Sequence, residues 1–211
     1  MLTKRESWLL LALVLVGILV ASVLRMTRPI GDDQRHNPIV QEVRQDRSSP
    51  AFENPRADVT LIVFTDYLCP VCRTTYPGLK RAVARDGRVR VVVKDWPIFG
   101  AASDRAAQVA IASRFQGIYP EVHDRLMTAP LAGDAALQLA VEAAGGNWAR
   151  LQSDLVDNRG EIEAQVARNR RQAFALGLGG TPGFLVGPFL VRGALSESEI
   201  VRLIVRARQA K

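Results

Sequence analysis

The sequence predicts an α/β domain with an inserted helical block, preceded by one apolar helix of membrane-crossing length. Three observations carry this expectation. Two apolar, β-branched runs at 59–65 and 88–94 flank a helical pattern, Ala-rich helical periodicity fills about 100–158, and residues 8–24 hold no charge. Two such strands joined by a helix form a parallel βαβ unit with a right-handed crossover. The chain divides accordingly into a short flank (1–7), an anchor (8–24), a linker (25–57) and a folded domain (58–211).

As a helix, residues 8–24 span about 25 Å, slightly less than a bilayer core. Trp8, Arg5 and Arg25 stand as interfacial anchors. A cleaved signal peptide is the rival reading, with Val20-Ala21-Ser22 as a weak cleavage site. Positive charges fall on both sides of the segment (Lys4 and Arg5 before it, Arg25, Arg28 and Arg35 after), so they do not set its orientation. Residues 25–57 are polar, carry Pro29, Pro38, Pro50 and Pro55, and read as linker with at most a short strand at 39–43.

Within the domain, strand 59–65 leads into a helix over about 70–86, which Pro77 should kink by removing a backbone donor, and then into strand 88–94. Ser103 and Asp104 open a helix bearing Val109, Ile111 and Phe115. Further helices are expected at 119–128, 134–144 and 147–156, with Asp134 and Asn147 as N-caps. A long helix at about 160–177 ends at Gly179-Gly180. Strands at 183–187 and 189–192 follow, and the last helix, 197–209, starts with Ser196 and Glu199 as a capping box.

Hydrophobic residues make up 48% of the 211, enough for a core, and the formal net charge is +7. Arg supplies almost all of it, since only Lys4, Lys80, Lys94 and Lys211 are lysines. These arginines alternate with Glu, Asp and Ala over 159–171, with no aromatic platforms between them. That pattern describes a solvated helix face and excludes a nucleic-acid partner.

The only two cysteines are Cys69 and Cys72, in Cys69-Pro70-Val71-Cys72 directly after the first strand. Cys69 should sit at a helix N-terminus, where unpaired N–H groups and the helix dipole favour a thiolate. Cys72, one turn on, should be the more buried thiol and resolve the mixed disulfide that Cys69 forms with a substrate. A structural disulfide across so short a loop would remove little chain entropy. Zinc wants four ligands, and only His36 and His123 stand beside the thiols, so no metal is expected. No bound cofactor is needed either, because the dithiol itself carries two electrons.

Four segments stand in a recognisable order: Phe64-Thr65-Asp66-Tyr67-Leu68-Cys69-Pro70-Val71-Cys72, Val93-Lys94-Asp95-Trp96-Pro97-Ile98, Tyr119-Pro120-Glu121-Val122-His123-Asp124 and Gly180-Thr181-Pro182-Gly183-Phe184-Leu185-Val186. Over residues 52–208 the chain resembles the DsbA-like family of thiol:disulfide interchange proteins. The resemblance implies a thioredoxin fold with an inserted helical domain. It also implies that Pro182 is a cis-proline facing the dithiol, with Thr181 offering its backbone to an extended substrate segment.

The family often has a buried Glu six residues before the first cysteine, where it relays protons to the buried thiol; this chain has Val63. Asp66 and Lys94 are the nearest polar candidates to tune the pair, together with Pro70 and Val71 inside it. Asp66 would otherwise cap the loop or helix, and Lys94 would be a solvated strand end. Val71 brings no charge, so an oxidant of intermediate strength is expected. His123 is expected to pack and hydrogen-bond inside the helical block. Trp96, Pro97, Ile98 and Phe99 are expected to pack as an apolar cluster after the second strand.

The resulting expectation is a membrane-tethered, extracytoplasmic thiol:disulfide oxidoreductase, single-pass, with its domain on the periplasmic or extracellular side. Its partners would be reduced or misoxidised exported proteins and a membrane partner that reoxidises it. The same chemistry run backward gives a reductase or isomerase, though the stretch 30–57 looks too short and polar for a dimerisation domain. A chaperone-like binder of extended chains is the alternative outside enzymology, and the intact Cys-x-x-Cys and Thr-Pro argue against it.

Overall fold

The structure, a computed structural model, describes residues 8–10, 13–20, 29–131 and 133–210. The chain separates into two compact units, Met1–Ile30 and Gly31–Lys211. In the first, residues 8–10 and 13–20 are helical and exposed. The expected crossing segment 8–24 lies partly outside the described residues. Among those described, no helix is long and apolar enough to cross a membrane.

The second unit is built on a six-stranded sheet. Its strands are β1 (Asp32–Asp33), β2 (Ala51–Phe52), β3 (Val59–Thr65), β4 (Val89–Asp95), β5 (Gly183–Val186) and β6 (Phe189–Arg192), ordered β1-β6-β5-β3-β4-β2. Only β3 and β4 pair in parallel, with Val59 opposite Val89 and Thr65 opposite Asp95. Every residue of both strands except the second is buried, which is why β3 and the Val91–Val93 stretch of β4 read as apolar runs.

From Gly31 on, the segment expected to be linker is part of the folded domain instead. Its middle is a helix, α1 (Pro38–Gln45), not a strand at 39–43. Asn37 caps it by accepting the Ile39 N–H at 3.1 Å, and Pro38 occupies the first turn, where its missing N–H costs nothing. Val40 and Val43, one helical turn apart, are fully buried against Ile62, Phe64, Val92, Trp96 and Leu185 of one sheet face. The flanking strands β1 and β2 pair antiparallel with β6 and β4.

Helix α2 (Pro70–Asp86) connects β3 to β4, runs through Pro77 as one helix, and stops at Gly87 in the left-handed conformation (φ 68°). The helical block consists of α3 (Ala101–Ala112), a 3₁₀ turn (Ser113–Gln116), α4 (Tyr119–Thr128), α5 (Gly133–Ala143) and α6 (Trp148–Asp157). Helix α7 (Arg159–Ala175) returns the chain to the sheet, and α8 (Glu197–Gln209) packs against α2 and β3.

Several caps stand as expected: Asn147 accepts the Arg150 N–H, and Ser196 and Glu199 form the reciprocal box. Others differ. Helix α3 begins at Ala101, so Ser103 lies inside it, and Asp134 lies in the first turn of α5. The last turn of α7 ends before Gly177, whose φ of 70° turns the chain, rather than at Gly179-Gly180.

Candidate active site

Cys69 occupies the N-cap of α2 with extended backbone (φ −71°, ψ 114°), and Pro70 follows in the first turn. Its Sγ accepts the Cys72 N–H at 3.3 Å. The same thiol donates to the Thr181 carbonyl at 3.4 Å, and the Thr181–Pro182 peptide bond is cis. Two segments more than a hundred residues apart in sequence thus meet at one sulfur. Both cysteines are free thiols. Contrary to expectation they are equally covered, at 2% exposure each, because Cys69 lies against the Thr181 loop. Burial pushes the Cys72 thiol up to about 12.

Asp66 is buried and anchors the loop that carries Cys69. One carboxylate oxygen accepts the Leu68 N–H at 2.7 Å and the Ser103 hydroxyl at 2.8 Å. The other accepts the N–H groups of Ile98 and Phe99 at 2.6 and 3.3 Å. The Asp66 carbonyl accepts the Cys69 N–H at 3.2 Å. The Asp66 carboxylate therefore ties together the loops that follow β3 and β4. The apolar cluster expected after β4 divides: Trp96 is buried, while Ile98 (41%) and Phe99 (52%) are exposed, as is Val71 (46%) between the cysteines.

Lys94 is neither solvated nor beside the dithiol. Side chains alternate along a strand, and Val63, Thr65, Val91 and Val93 face the cavity that Cys72 also lines. Lys94 shares the opposite parity with Val92 and pairs in register with Phe64, both part of the cluster beneath α1. There it is fully buried, with Nζ 2.5 Å from Asp46 Oδ2.

The structure adds Tyr67, Asp95 and Tyr119, which the sequence does not single out, and joins His123 to them across the boundary of the helical block. Tyr67, two residues before Cys69, is buried with its hydroxyl 2.8 Å from Asp95 Oδ1 and 2.8 Å from His123 Nδ1. The Tyr119 hydroxyl donates to the same carboxylate at 3.0 Å. Asp95 is completely buried, and burial raises its carboxyl to about 7 although both tyrosines oppose the shift. Burial likewise lowers His123 to about 3, so its imidazole is neutral. His123 stacks on Tyr119 and meets the edges of Phe52, Tyr67 and Tyr76. A second charged residue, directly after Lys94 at the end of a strand centred on Val91-Val92-Val93, was the available signal for Asp95.

Next to the dithiol lies an apolar cavity of about 270 Å³ lined by Val63, Cys72, His123, Met127, Pro182 and Phe184, among others. Arg73, one residue beyond Cys72, holds the helical block against this region. Its guanidinium donates to the carbonyls of Leu126 and Ala129, at the end of α4, at 2.6 and 2.5 Å. Among the described residues no group of three or more His, Cys, Asp or Glu gathers in a way that could hold a metal ion. A pair of adjacent thiols, one at a helix N-terminus and one in an apolar wall, can form and open a disulfide with a cysteine of a polypeptide docked along Thr181.

The profile of the DSBA-like thioredoxin domain matches residues 60–204. A thioredoxin-like oxidoreductase from Silicibacter pomeroyi DSS-3 is similar in structure, with 36% identity and a TM-score of 0.73 over 79% of this chain and 95% of that one. A periplasmic thioredoxin-like protein from Salmonella enterica serovar Typhimurium has 26% identity and a TM-score of 0.72, covering 82% of this chain and 97% of that one. The thiol-disulfide exchange protein alpha-DsbA2 from Wolbachia pipientis has 25% identity and a TM-score of 0.72, covering 83% and 98%. No match is found among the curated proteins.

Proposed function

The chain belongs to the DSBA-like thioredoxin domain family, and from that premise we propose that it is an extracytoplasmic thiol:disulfide oxidoreductase that donates disulfides to exported proteins. The observation that carries this reading is the Cys69 thiol at the N-cap of α2, 3.4 Å from the carbonyl of Thr181. A substrate thiolate attacks Cys69 Sγ of the Cys69–Cys72 disulfide. The Cys69–Cys72 bond breaks, Cys72 leaves as a thiolate and takes a proton, and a mixed disulfide joins Cys69 to the substrate. A second substrate thiolate then displaces Cys69, so the substrate is oxidised and the enzyme left as a dithiol.

Thr181 and Pro182 receive the substrate backbone beside Cys69. Pro70 opens α2 at its first position, Val71 adds an exposed apolar contact, and Asp66 holds the surrounding loops. The dithiol is the only redox carrier in this scheme, with no bound cofactor. The uncharged segment 8–24 supports tethering to a membrane, where a membrane partner would reoxidise the dithiol. The likeness to a periplasmic protein supports placing the domain outside the cytoplasm.

The test is exchange with a reduced, unfolded substrate. Cys69→Ser should abolish it, and Cys72→Ser, offered the disulfide form of the substrate, should accumulate mixed disulfides, because Cys69 opens the substrate disulfide and no resolving thiol remains. Full exchange by Cys69→Ser would overturn the reading. Equilibration in graded glutathione buffers fixes the direction: a potential near that of thioredoxin, about −270 mV, would make the protein a reductant instead.

A further inference from the structure

Cys72 sits in an apolar wall where its thiolate is costly, yet every exchange cycle requires it to lose or gain a proton. Its cavity neighbours from β3 and β4 are Val63, Thr65, Val91 and Val93, none of them ionisable. Of the imidazole and carboxyl groups that line this cavity, only His123 is buried; Asp124 is partly exposed and paired with Lys80. Cys72 and His123 line the same cavity, whose volume of about 270 Å³ is several times that of one water.

We propose that Asp95 is the proton reservoir for Cys72, reached through His123 and Tyr67, which form a hydrogen-bonded chain from the cavity to the buried carboxyl. This rests on the dithiol reading above and adds to it the route by which Cys72 exchanges its proton.

The chain has two states. Tyr67 has one hydroxyl hydrogen and stands 2.8 Å from both Asp95 and His123, so it donates to only one of them at a time. With Asp95 ionised, Tyr67 donates to it, His123 Nδ1–H donates to Tyr67, and Nε2 is left as an acceptor. When Cys72 releases its proton, water entering the cavity carries it to Nε2, Nδ1 passes its own to Tyr67, and Tyr67 passes its hydrogen to Asp95. The imidazole finishes neutral in its other tautomer. Cys72 is now a thiolate and attacks Cys69 Sγ of a mixed disulfide. The Cys69–Cys72 bond forms, the bond from Cys69 to the substrate breaks, and the substrate sulfur leaves with the electron pair. In the opposite direction Asp95 returns the proton to the departing Cys72.

The groups around the carboxyl suit this use. Tyr67 and Tyr119 are its hydrogen-bond partners, and Asp66 is the one charged neighbour that acts on it, as a repulsion. Lys94 faces the far side of the sheet, and the partly exposed Lys80–Asp124 pair and Tyr76 border the cavity. With no cation bonded to it, Asp95 titrates at about 7, close to neutrality, where a proton acceptor is most effective.

The test uses the full chain, reduced, with 5,5′-dithiobis(2-nitrobenzoate). Attack by Cys69 releases the first equivalent of coloured thiolate, and attack by Cys72 on the resulting mixed disulfide releases the second. In wild-type protein the second phase should follow an inflection near pH 7. In Asp95→Asn the ratio of second-phase to first-phase rate at pH 7 should fall about tenfold or more, and that inflection should vanish. Tyr67→Phe, which interrupts the chain but keeps the carboxyl, should do the same, and it decides the matter if Asp95→Asn does not fold. An unchanged ratio and pH profile in a folded variant overturns the proposal. If wild-type protein gives no first phase, the exchange reading itself falls, and this inference with it.

Discussion

Lys94 Nζ and Asp46 Oδ2 meet at 2.5 Å inside the protein, joining a central strand to the segment that precedes the first long strand. Burial opposes both charges. At Asp46 the hydrogen bonds from Lys94 and Ser48 outweigh it and hold the carboxyl at about 2. At Lys94 burial prevails and lowers the pKa. Such a pair is costly to break and cheap to replace. Asp46→Ala, which leaves the ammonium stranded, should cost about 3–5 kcal/mol in urea unfolding, whereas Asp46→Leu with Lys94→Met should recover most of that loss. The Asp46 pKa lies below its unfolded value of 3.8, so its share of stability is present above that pH and disappears as pH falls toward 2.

Asp95 and His123 should give stability opposite dependences on pH. The folded pKa of Asp95 is raised from 3.8 to about 7, so its contribution is full below 3.8 and is lost as pH rises to 7. His123 is lowered from 6.5 to about 3, so its contribution is full above 6.5 and is lost as pH falls toward 3. Between about pH 4 and 6.5 the two slopes oppose each other, each approaching about 1.4 kcal/mol per pH unit. Urea titrations across that window should show Asp95→Asn gaining stability more steeply with pH than wild type. His123→Gln should lose stability over the same interval. Parallel curves for all three proteins would contradict these assignments.

Asp66→Ala should loosen two loops together. The change removes the acceptor for the N–H groups of Leu68, Ile98 and Phe99 and for the Ser103 hydroxyl. A single stranded buried donor costs about 1–3 kcal/mol, so a loss of at least about 2 kcal/mol is expected. Hydrogen exchange should quicken at residues 66–69 and 96–99, with residues 119–128 little affected.

Arg73→Ala should act on the other side of the dithiol. Its guanidinium bonds to the carbonyls of Leu126 and Ala129 are charge-assisted, a class worth about 1.5–3 kcal/mol each. Protection of α4 amides should fall selectively, and exchange with a folded protein disulfide should slow more than exchange with glutathione. Equal slowing of both would mean that Arg73 does not position the helical block.

Much of this was legible in the chain because it is local. The run at 59–65 and the stretch Val91-Val92-Val93 are buried on both faces, so their apolar character is continuous. Cys69-Pro70 and Ser196-Glu199 announce helix starts through cap chemistry that needs no distant partner. What escaped depends on partners far away in sequence. The helix at 38–45 has only Ile39, Val40 and Val43 to mark it among polar residues and one proline, and its burial comes from the sheet. Strands of two residues carry no period at all. Lys94 was misplaced because composition suggested a strand end, whereas its parity with Val92 sends it to the face opposite the thiols. Tyr67, Asp95, Tyr119 and His123 form one network only once three separate elements have been assembled.

The two outermost strands of the sheet, β1 and β2, are two residues long each. A long unpaired margin is a template on which a foreign strand can add, and short margins blunt it. For a protein whose proposed clients are extended and not yet folded, this matters more than usual. On the proposed reading, docking at the Thr181 loop, beside Cys69, would face little competition from these two short margins.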